Sequence, residues 1–295
     1  MNNATMNDSV KKATVLIEAL PYIQRFKDAI FVVKFGGSTM EDPTHSEGIL
    51  TDLTFLSCVG VRPVVVHGGG KAISKGMRDE GIETRFVKGL RVTCEKSMKV
   101  VERVMGTDIN PGIVAMIEAG GGASKGVPGQ DVFHVHRKSG TDPDTGEPLD
   151  WGFVGEPSEV DAKPVLDVLA SGAIPVVTPI GIGEDGKAHN INADTAAAAL
   201  AKAIGARKLV YLTDVPGLLR DLGDPESIMS TLSISEVADL MARGVIAGGM
   251  LPKVESAVDA LAAGVKKVHM VDGRQLHSLL LEIFTDKGVG TQIVP

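Results

Sequence analysis

The 295-residue sequence contains only two cysteines, Cys58 and Cys94, and they form no Cys-x-x-Cys pair. Structural zinc sites and disulfide frameworks need more cysteines or closer spacing, so the sequence argues against both. Two isolated cysteines are typical of a protein from a reducing compartment. We therefore expect a cytoplasmic protein that has no metal ligands of its own.

Long basic runs and long apolar runs are also missing. The formal net charge is −7, and no cluster of lysine and arginine marks a surface for nucleic acid. Residues 1–14 are polar and lack the apolar core of a signal peptide. No stretch reaches the roughly 18 consecutive apolar residues of a membrane helix. We expect neither nucleic acid nor a membrane among its partners.

Hydrophobic residues make up 43% of the chain, which is typical of a globular protein with one large domain or two joined lobes. Apolar runs of strand length alternate with helical segments. This order indicates an α/β fold with a mostly parallel sheet covered on both faces. The predicted strands are residues 30–35, 63–67, 173–178, 208–212 and 267–271. The predicted helices are residues 46–59, 71–80 and 95–118, the last interrupted near 106–112.

Two segments depart from this order. Residues 9–28 have apolar side chains at helical spacing, so we predict a helix before the first strand, kinked or broken at Pro21. This helix either packs on its own domain or contacts another subunit. Residues 132–136 and 151–154 predict a β-hairpin with a long polar tip at 139–148. Such a hairpin often forms a lid or a pocket wall.

Two strands run directly into glycines, in Lys34-Phe-Gly-Gly-Ser38 and His67-Gly-Gly-Gly-Lys71. Glycine lets backbone N–H groups approach an anion closely, and a following helix N-terminus favours negative charge. The spacing fits neither the P-loop nor the dinucleotide-binding pattern. A tight turn and an ordinary strand-end lysine explain each segment alone, whereas the pair predicts a site for a strongly anionic group.

Three further segments contain charged residues that could bind an anion or orient such a group. A loop with Asn190 and Asp194 precedes an alanine-rich helix, for which Asn192 is a plausible N-cap. Lys253 follows paired glycines at the start of another helix, and Arg91 lies between apolar residues. Each of these has an ordinary surface or capping explanation. Together, two lysines, glycine amides, one carboxylate and one arginine describe phosphoryl transfer, which depends on positioning and charge neutralisation.

In order and spacing, these segments resemble the acetylglutamate kinases of the amino-acid kinase superfamily, from about Leu16 to the end of the chain. The resemblance implies a three-layer αβα sandwich in two lobes, with an additional N-terminal helix. It also implies phosphorylation of N-acetyl-L-glutamate by ATP with Mg²⁺. The implied units are a kinked oligomerisation helix (1–28), an acetylglutamate-binding lobe (29–205, with a hairpin lid at about 131–154) and an ATP-binding lobe (206–295).

The resemblance also implies residue roles. Lys34 and Lys253 would stabilise the transferring phosphoryl group, and Asp194 would orient both lysines. The amides of Gly37 and Gly69 would bond phosphoryl oxygens. The residues implied to bind the substrate acetylglutamate are Gly69, Gly70, Arg91 and Asn190. The residues implied to frame ATP are Thr213, Asp214, Val215, Pro216, Gly217, Leu218, Val245, Ile246 and Ala247.

The two ends of the chain resemble those of the arginine-inhibited members of the family. Residues 18–26 resemble the helix that joins dimers into a ring-like hexamer, a trimer of dimers. Residues 282–291 resemble the arginine-binding segment, and we expect L-arginine to bind near Glu282, Gly288, Gly290 and Tyr22. Lys71 departs from the family, whose members commonly have proline there, and we expect it to face solvent.

Two other functions remain open at this point. One is a related kinase of the superfamily with another acidic substrate, although Arg91 and Asn190 favour an amino-acid carboxylate. The other is a non-catalytic arginine sensor on the same fold. Such a sensor would not need both Lys34 and Lys253, and both are present.

Overall fold

The computed structural model describes residues 3–142, 145–221, 223–285 and 288–295. Parts of the predicted hairpin tip (143–144) and of the predicted arginine segment (286–287) lie outside the described residues. The helices are α1 Asn3–Phe26, α2 Pro43–Cys58, α3 Gly70–Asp79, α4 Glu95–Arg103, α5 Asn110–Ala119, α6 Lys163–Ala170, α7 Ala193–Ala203, α8 Ile234–Ala242, α9 Leu251–Ala262 and α10 Ser278–Ile283.

The strands are more numerous than the sequence pattern predicts. They are β1 Ile30–Phe35, β2 Arg62–His67, β3 Phe86–Val87, β4 Leu90–Arg91, β5 Ser124–Val127, β6 Phe133–Thr141, β7 Pro148–Val160, β8 Ile174–Val177, β9 Ile180–Gly183, β10 Ala188–Ile191, β11 Lys208–Thr213, β12 Thr231–Ser233, β13 Lys267–Asp272 and β14 Thr291–Val294. The five predicted strands correspond to β1, β2, β8, β11 and β13.

Eight strands form the central sheet, in the order β12-β14-β13-β11-β1-β2-β8-β5. Every pair is parallel except β13 with β14, as expected for strands that are apolar along their whole length. Alternate residues of β1 enter different cores: Val32 packs with α7 and α9, whereas Phe31 and Val33 pack with α2 and α5. Helices therefore cover both faces, which confirms the three-layer α/β fold.

The predicted hairpin is present as β6 and β7, but it belongs to a larger unit. Its strands close a four-stranded barrel with β9 and β10. Trp151 of the hairpin also contacts the small β3–β4 sheet. Its Nε1 donates to the carbonyl of Val87 on β3 at 3.0 Å, and its carbonyl accepts from the N–H of Thr93, just after β4, at 2.8 Å.

The N-terminal helix α1 is continuous through Pro21, so it does not break there, and a kink at Pro21 stays a prediction. Proline removes one N–H from the helix, and the turn around Ile17 is open to water that can bond the freed carbonyl. The end of α1 is anchored: Phe26 is buried, and the ring of Tyr22 packs edge-on against Phe284 at 6.3 Å. Apolar side chains further along α1 are exposed, namely Val10, Val15, Leu16, Ile17 and Leu20.

The predicted interruption of the long helix is also observed. A π-helical turn, Val104–Ile109, separates α4 from α5. Such turns insert an extra residue into a helix and are frequent near functional sites. No helix in the described part of the chain is long and apolar enough to cross a membrane.

Candidate active site

The two glycine turns lie side by side because β1 and β2 are parallel neighbours, with Phe35 opposite His67. The N–H of Gly68 donates to the carbonyl of Phe35 at 2.7 Å. A Cβ atom on Gly36 would lie 3.1 Å from the Cα of Gly68, so the turns touch through bare backbone. Gly37 has φ of 74°, a value that glycine adopts without strain. The two glycine turns, which are separate in the sequence, therefore form one continuous surface.

Beside the turns, two lysines converge on one carboxylate. Lys34 Nζ lies 3.2 Å from Asp194 Oδ1, and Lys253 Nζ lies 2.5 Å from Asp194 Oδ2. The side chains are 10%, 7% and 19% exposed for Lys34, Asp194 and Lys253. We call these three residues the lysine–aspartate cluster. They come from β1 and from the first turns of α7 and α9.

The cluster carries two positive charges and one negative charge. Burial by itself raises the pKa of Asp194, but the charges of Lys34 and Lys253 outweigh burial and hold that pKa below its ordinary value. Burial lowers the pKa of Lys34, and repulsion from Lys253 adds to this against the attraction of Asp194. One positive charge is left uncompensated within the cluster, so the site favours an anion.

An N-cap residue and one tyrosine hold Asp194 in place. Asn192 caps α7 as predicted: its side-chain oxygen accepts from the N–H of Asp194 at 2.9 Å and of Thr195 at 3.1 Å. The Tyr211 hydroxyl reaches the Asp194 carbonyl at 3.3 Å and Ser256 Oγ at 3.0 Å, which ties α7 to α9. Tyr211 was not predicted from the sequence. The feature that could have indicated its role is a hydroxyl group in the middle of an otherwise apolar strand.

A cavity of about 480 Å³ opens at the glycine turns, and we call it the glycine cavity. Gly37, Gly69 and Gly70 line it together. Apolar side chains form another part of its wall. The other lining residues are Met40, Glu41, Lys71, Ala72, Ser74, Phe86 and Ile109.

Arg91 is buried next to this cavity and is fixed in place. Its Nη2 donates to the carbonyl of Gly70 at 2.6 Å and to Ser74 Oγ at 2.8 Å, and its guanidinium lies 4.8 Å from the ring centre of Phe86. Asn190 is half-buried on β10, in the barrel, where it pairs with Val154 of the hairpin. Among the described residues, neither Arg91 nor Asn190 lines the glycine cavity directly.

Comparison with known proteins decides the family. The model of the amino acid kinase family matches residues 29–272. Acetylglutamate kinase from Pelotomaculum thermopropionicum is 48% identical over 98% of this chain and 99% of its own length. The enzyme of the same name from Synechocystis sp. is 44% identical over 97% and 95%. This chain belongs to the acetylglutamate kinases of the amino acid kinase family.

Solved structures agree with this placement. N-acetylglutamate synthase from Neisseria gonorrhoeae, in complex with coenzyme A and N-acetyl-glutamate, matches with a TM-score of 0.81 and 28% identity. The match covers 96% of this chain but only 63% of the synthase chain. Carbamate kinase from Giardia lamblia, bound to AMP-PNP, matches with a TM-score of 0.65 over 90% of this chain and 98% of its own. At 18% identity, the carbamate kinase supports the fold alone.

The segments predicted to frame ATP in this acetylglutamate kinase follow β11 and α8. Thr213 Oγ1 donates to the carbonyl of Val215 at 2.7 Å, which closes the turn after β11. The N–H of Leu218 donates to Thr291 Oγ1 at 2.8 Å. Leu218 and Ile246 are buried in the same hydrophobic core. Asp214 is exposed, and its negative charge acts to raise the pKa of Lys34.

A second cavity, of about 490 Å³, brings together Tyr22, Glu282 and Gly288 from the predicted arginine site. Glu282 is already bonded. Its Oε1 accepts from His269 Nδ1 at 2.5 Å, and its Oε2 accepts from the N–H of Val289 at 2.8 Å and of Gly290 at 3.0 Å. Burial alone raises the pKa of Glu282, but these donors and the charge of His269 outweigh burial and lower it.

Basic side chains surround this second cavity. Arg25, Arg207, Lys208, Lys266 and Lys267 line it with Glu282. Burial lowers the pKa of Lys208 to about 8.

At the glycine cavity, Lys71 pairs with Glu41 at 2.6 Å, and its side chain is 74% exposed, so it faces solvent as expected.

Proposed function

We propose that this protein transfers the γ-phosphoryl group of ATP to the γ-carboxylate of N-acetyl-L-glutamate, a step of arginine biosynthesis. The products are N-acetyl-L-glutamyl 5-phosphate and ADP. The observation that carries the proposal is the lysine–aspartate cluster beside two touching glycine turns. It provides uncompensated positive charge and bare amides in one place, within a family of acetylglutamate kinases.

The chemistry needs no general base. The attacking γ-carboxylate is already ionised at neutral pH. One of its oxygens forms a bond to the γ-phosphorus while the bond from that phosphorus to the bridging oxygen breaks, and the electron pair leaves with ADP. The main obstacle is repulsion between two anions. Lys34 and Lys253, oriented by Asp194, and the amides of the glycine turns offset this repulsion in a site from which water is largely excluded.

The substrate contacts that we propose rest on the resemblance to the family and on the position of Arg91 next to the glycine cavity. Arg91 would bind the α-carboxylate of acetylglutamate, because a guanidinium presents paired donors to a carboxylate. Asn190 would contact the neighbouring part of the substrate from the barrel, whose β6–β7 hairpin would be the lid of the substrate site. The segments after β11 and α8 would frame the nucleotide. Both lobes, with a boundary near residue 205, meet along the continuous sheet at β1 and β11.

The proposed reaction also requires Mg²⁺ beside the phosphates of ATP. Among the described residues, no three His, Cys, Asp or Glu side chains form a group that could hold a metal ion. Asp194 is engaged by two lysines. We therefore propose that Mg²⁺ arrives with ATP, is held by its phosphates and neutralises part of their charge. The two isolated, exposed cysteines support a cytoplasmic location.

ADP release from ATP tests the activity, measured with N-acetyl-L-glutamate, L-glutamate and L-aspartate in turn. We expect turnover only with the acetylated substrate. Equal turnover with glutamate or aspartate would assign the protein to another reaction of the superfamily, and no turnover with any of the three would support a binding role.

Removing either lysine tests the mechanism. Lys34→Ala and Lys253→Ala should each lower kcat by roughly 10²-fold or more and raise KM far less, because preorganised charge acts mainly on the transition state. Steady-state kinetics on folded protein checks this. Lys163→Ala is the control, since that lysine forms an exposed pair with Asp167 on α6. Near-normal kcat in either lysine variant would remove the assigned role.

We also propose that L-arginine binds in the second cavity and inhibits the enzyme. From the described residues, the carboxylate of Glu282 accepts three hydrogen bonds, and these leave one lone-pair position for a guanidinium. Lys208 and its basic neighbours suit the α-carboxylate of the amino acid. An N-acetylglutamate synthase from Neisseria gonorrhoeae, 27% identical with a TM-score of 0.80, has been solved with L-arginine.

Arginine should therefore lower the rate at saturating substrates, and it must bind one state of the enzyme better than another to do so. Glu282→Gln should weaken the inhibition by at least about tenfold, since an Arg–carboxylate bond loses its charge assistance. Initial rates over an arginine titration check this. A full-length enzyme that millimolar arginine leaves unaffected would contradict the proposal.

Finally, we propose that α1 joins dimers into a hexamer, a trimer of dimers. The support is its row of exposed apolar side chains, including Leu16 and Ile17, which nothing in the described part of the chain covers. Ile17→Glu should convert the hexamer to dimers, as judged by light scattering, while the matched variant Glu18→Ala should stay hexameric. A hexamer that persists in Ile17→Glu would rule out this role for α1.

A further inference from the structure

A fully buried histidine, His67, lies directly under the second glycine turn and takes no part in the mechanism above. Its Nδ1 lies 3.0 Å from the carbonyl oxygen of Gly68, and its Nε2 lies 3.2 Å from Nδ2 of Asn110. The Asn110 Nδ2 also lies 2.8 Å from the carbonyl oxygen of Val176. A buried imidazole with two defined partners is fixed in orientation.

These partners define the position of the proton. A carbonyl oxygen only accepts, so Nδ1 of His67 must carry the hydrogen. The amide nitrogen of Asn110 only donates, so Nε2 must be unprotonated. Burial lowers the pKa of His67 to about 4, which agrees with a ring that is neutral at physiological pH. The ring is therefore held in the Nδ1–H form.

The bond to Gly68 determines the direction of the next amide. The carbonyl of Gly68 and the N–H of Gly69 belong to one planar peptide unit and point in opposite directions. The N–H of Gly68 is itself bound to the carbonyl of Phe35. When His67 draws the Gly68 carbonyl to one side, the Gly69 N–H must point to the other side, and Gly69 lines the glycine cavity.

The π-helical turn completes this arrangement. It ends at Ile109, whose Cδ1 would lie 2.8 Å from a Cβ on Gly69, and it is followed by Asn110 at the start of α5. The Asn110 Oδ1 occupies space above Gly126 that only glycine leaves open, since a Cβ there would lie 2.3 Å away. The end of the turn thus places the side chain of Ile109 against Gly69 and the amide donor of Asn110 against His67.

We propose that His67, held in its Nδ1–H form by Asn110, is a positioning residue that aims the Gly69 N–H at the transferring phosphoryl group. The proposal rests on the proposed kinase function, because it names what sets the geometry of one amide in that site. It explains why a histidine that cannot act as an acid or base precedes three glycines.

Three variants separate the two bonds of His67. His67→Gln keeps an acceptor near Nε2 and loses the donor to Gly68, whereas His67→Asn keeps a donor near Nδ1 and loses the bond to Asn110. Asn110→Asp removes the donor that sets the tautomer. We expect His67→Gln and Asn110→Asp to lower kcat by about tenfold or more with little change in KM for ATP, because small misplacements in a site can cost on the order of 10²-fold. His67→Asn should retain more activity than His67→Gln.

Thr54→Val is the matched control, since it removes another buried hydrogen bond, from Thr54 Oγ1 to the carbonyl of Leu50 on α2. It should keep the wild-type kcat. If folded His67→Gln has a kcat within about twofold of wild type, the positioning role is wrong. The same holds if Thr54→Val loses as much kcat, because the effect would then be one of general stability. Should Asn110→Asp not fold, the two His67 variants still decide the question.

Nitrogen-15 NMR of labelled histidine gives a test that is independent of turnover. In the wild type at neutral pH, the ring signals that disappear in His67→Gln should show a protonated Nδ1 and an unprotonated Nε2. A protonated Nε2 would overturn the proposal whatever the kinetics. A wild type with the expected tautomer but no kinase activity would instead contradict the proposed function.

Discussion

The carboxylate of Asp194 holds the ammonium groups of Lys34 and Lys253 together, although the three residues come from separate elements of the fold. Without that carboxylate, two lysines with little exposure to water would repel each other and lose their common orientation. With it, they remain charged and leave one positive charge for an anion. The site depends on this balance, since both reacting groups of the proposed reaction are anions.

The parallel sheet makes the arrangement possible. Adjacent parallel strands end at one edge, so the turns after β1 and β2 meet there, and helices that begin at this edge direct their N–H groups to the same place. Lys34 lies near the end of β1, and Asp194 and Lys253 lie in the first turns of α7 and α9. Tyr211, on the neighbouring β11, bonds to both helices from beneath.

Local sequence predicted the central strands whose residues are buried on both faces, and the helix α7, which Asn192 caps. It did not predict α8, although a capping box begins that helix. It did not predict the short strands β9 and β10, which are stabilised by closing a barrel with distant partners rather than by their own pattern. The helix does not break at Pro21 because this part of it is exposed, and water can bond the carbonyl group that proline leaves without its helical partner. Resemblance to a family identified the charged residues, but the roles of Tyr211 and His67 depend on contacts between distant segments.

The most direct test of the central claim is the kcat of Asp194→Asn with ATP and N-acetyl-L-glutamate at saturation. The change is nearly isosteric. It removes the negative charge that orients the lysines and replaces one of the two lysine-binding oxygens with an NH2 group, which cannot accept a hydrogen bond. The account predicts a loss of roughly 10²-fold or more in kcat, while the exposed control Asp167→Asn is unchanged. A folded Asp194→Asn protein with near-normal kcat would show that the lysines do not need their shared carboxylate, and it would contradict the account.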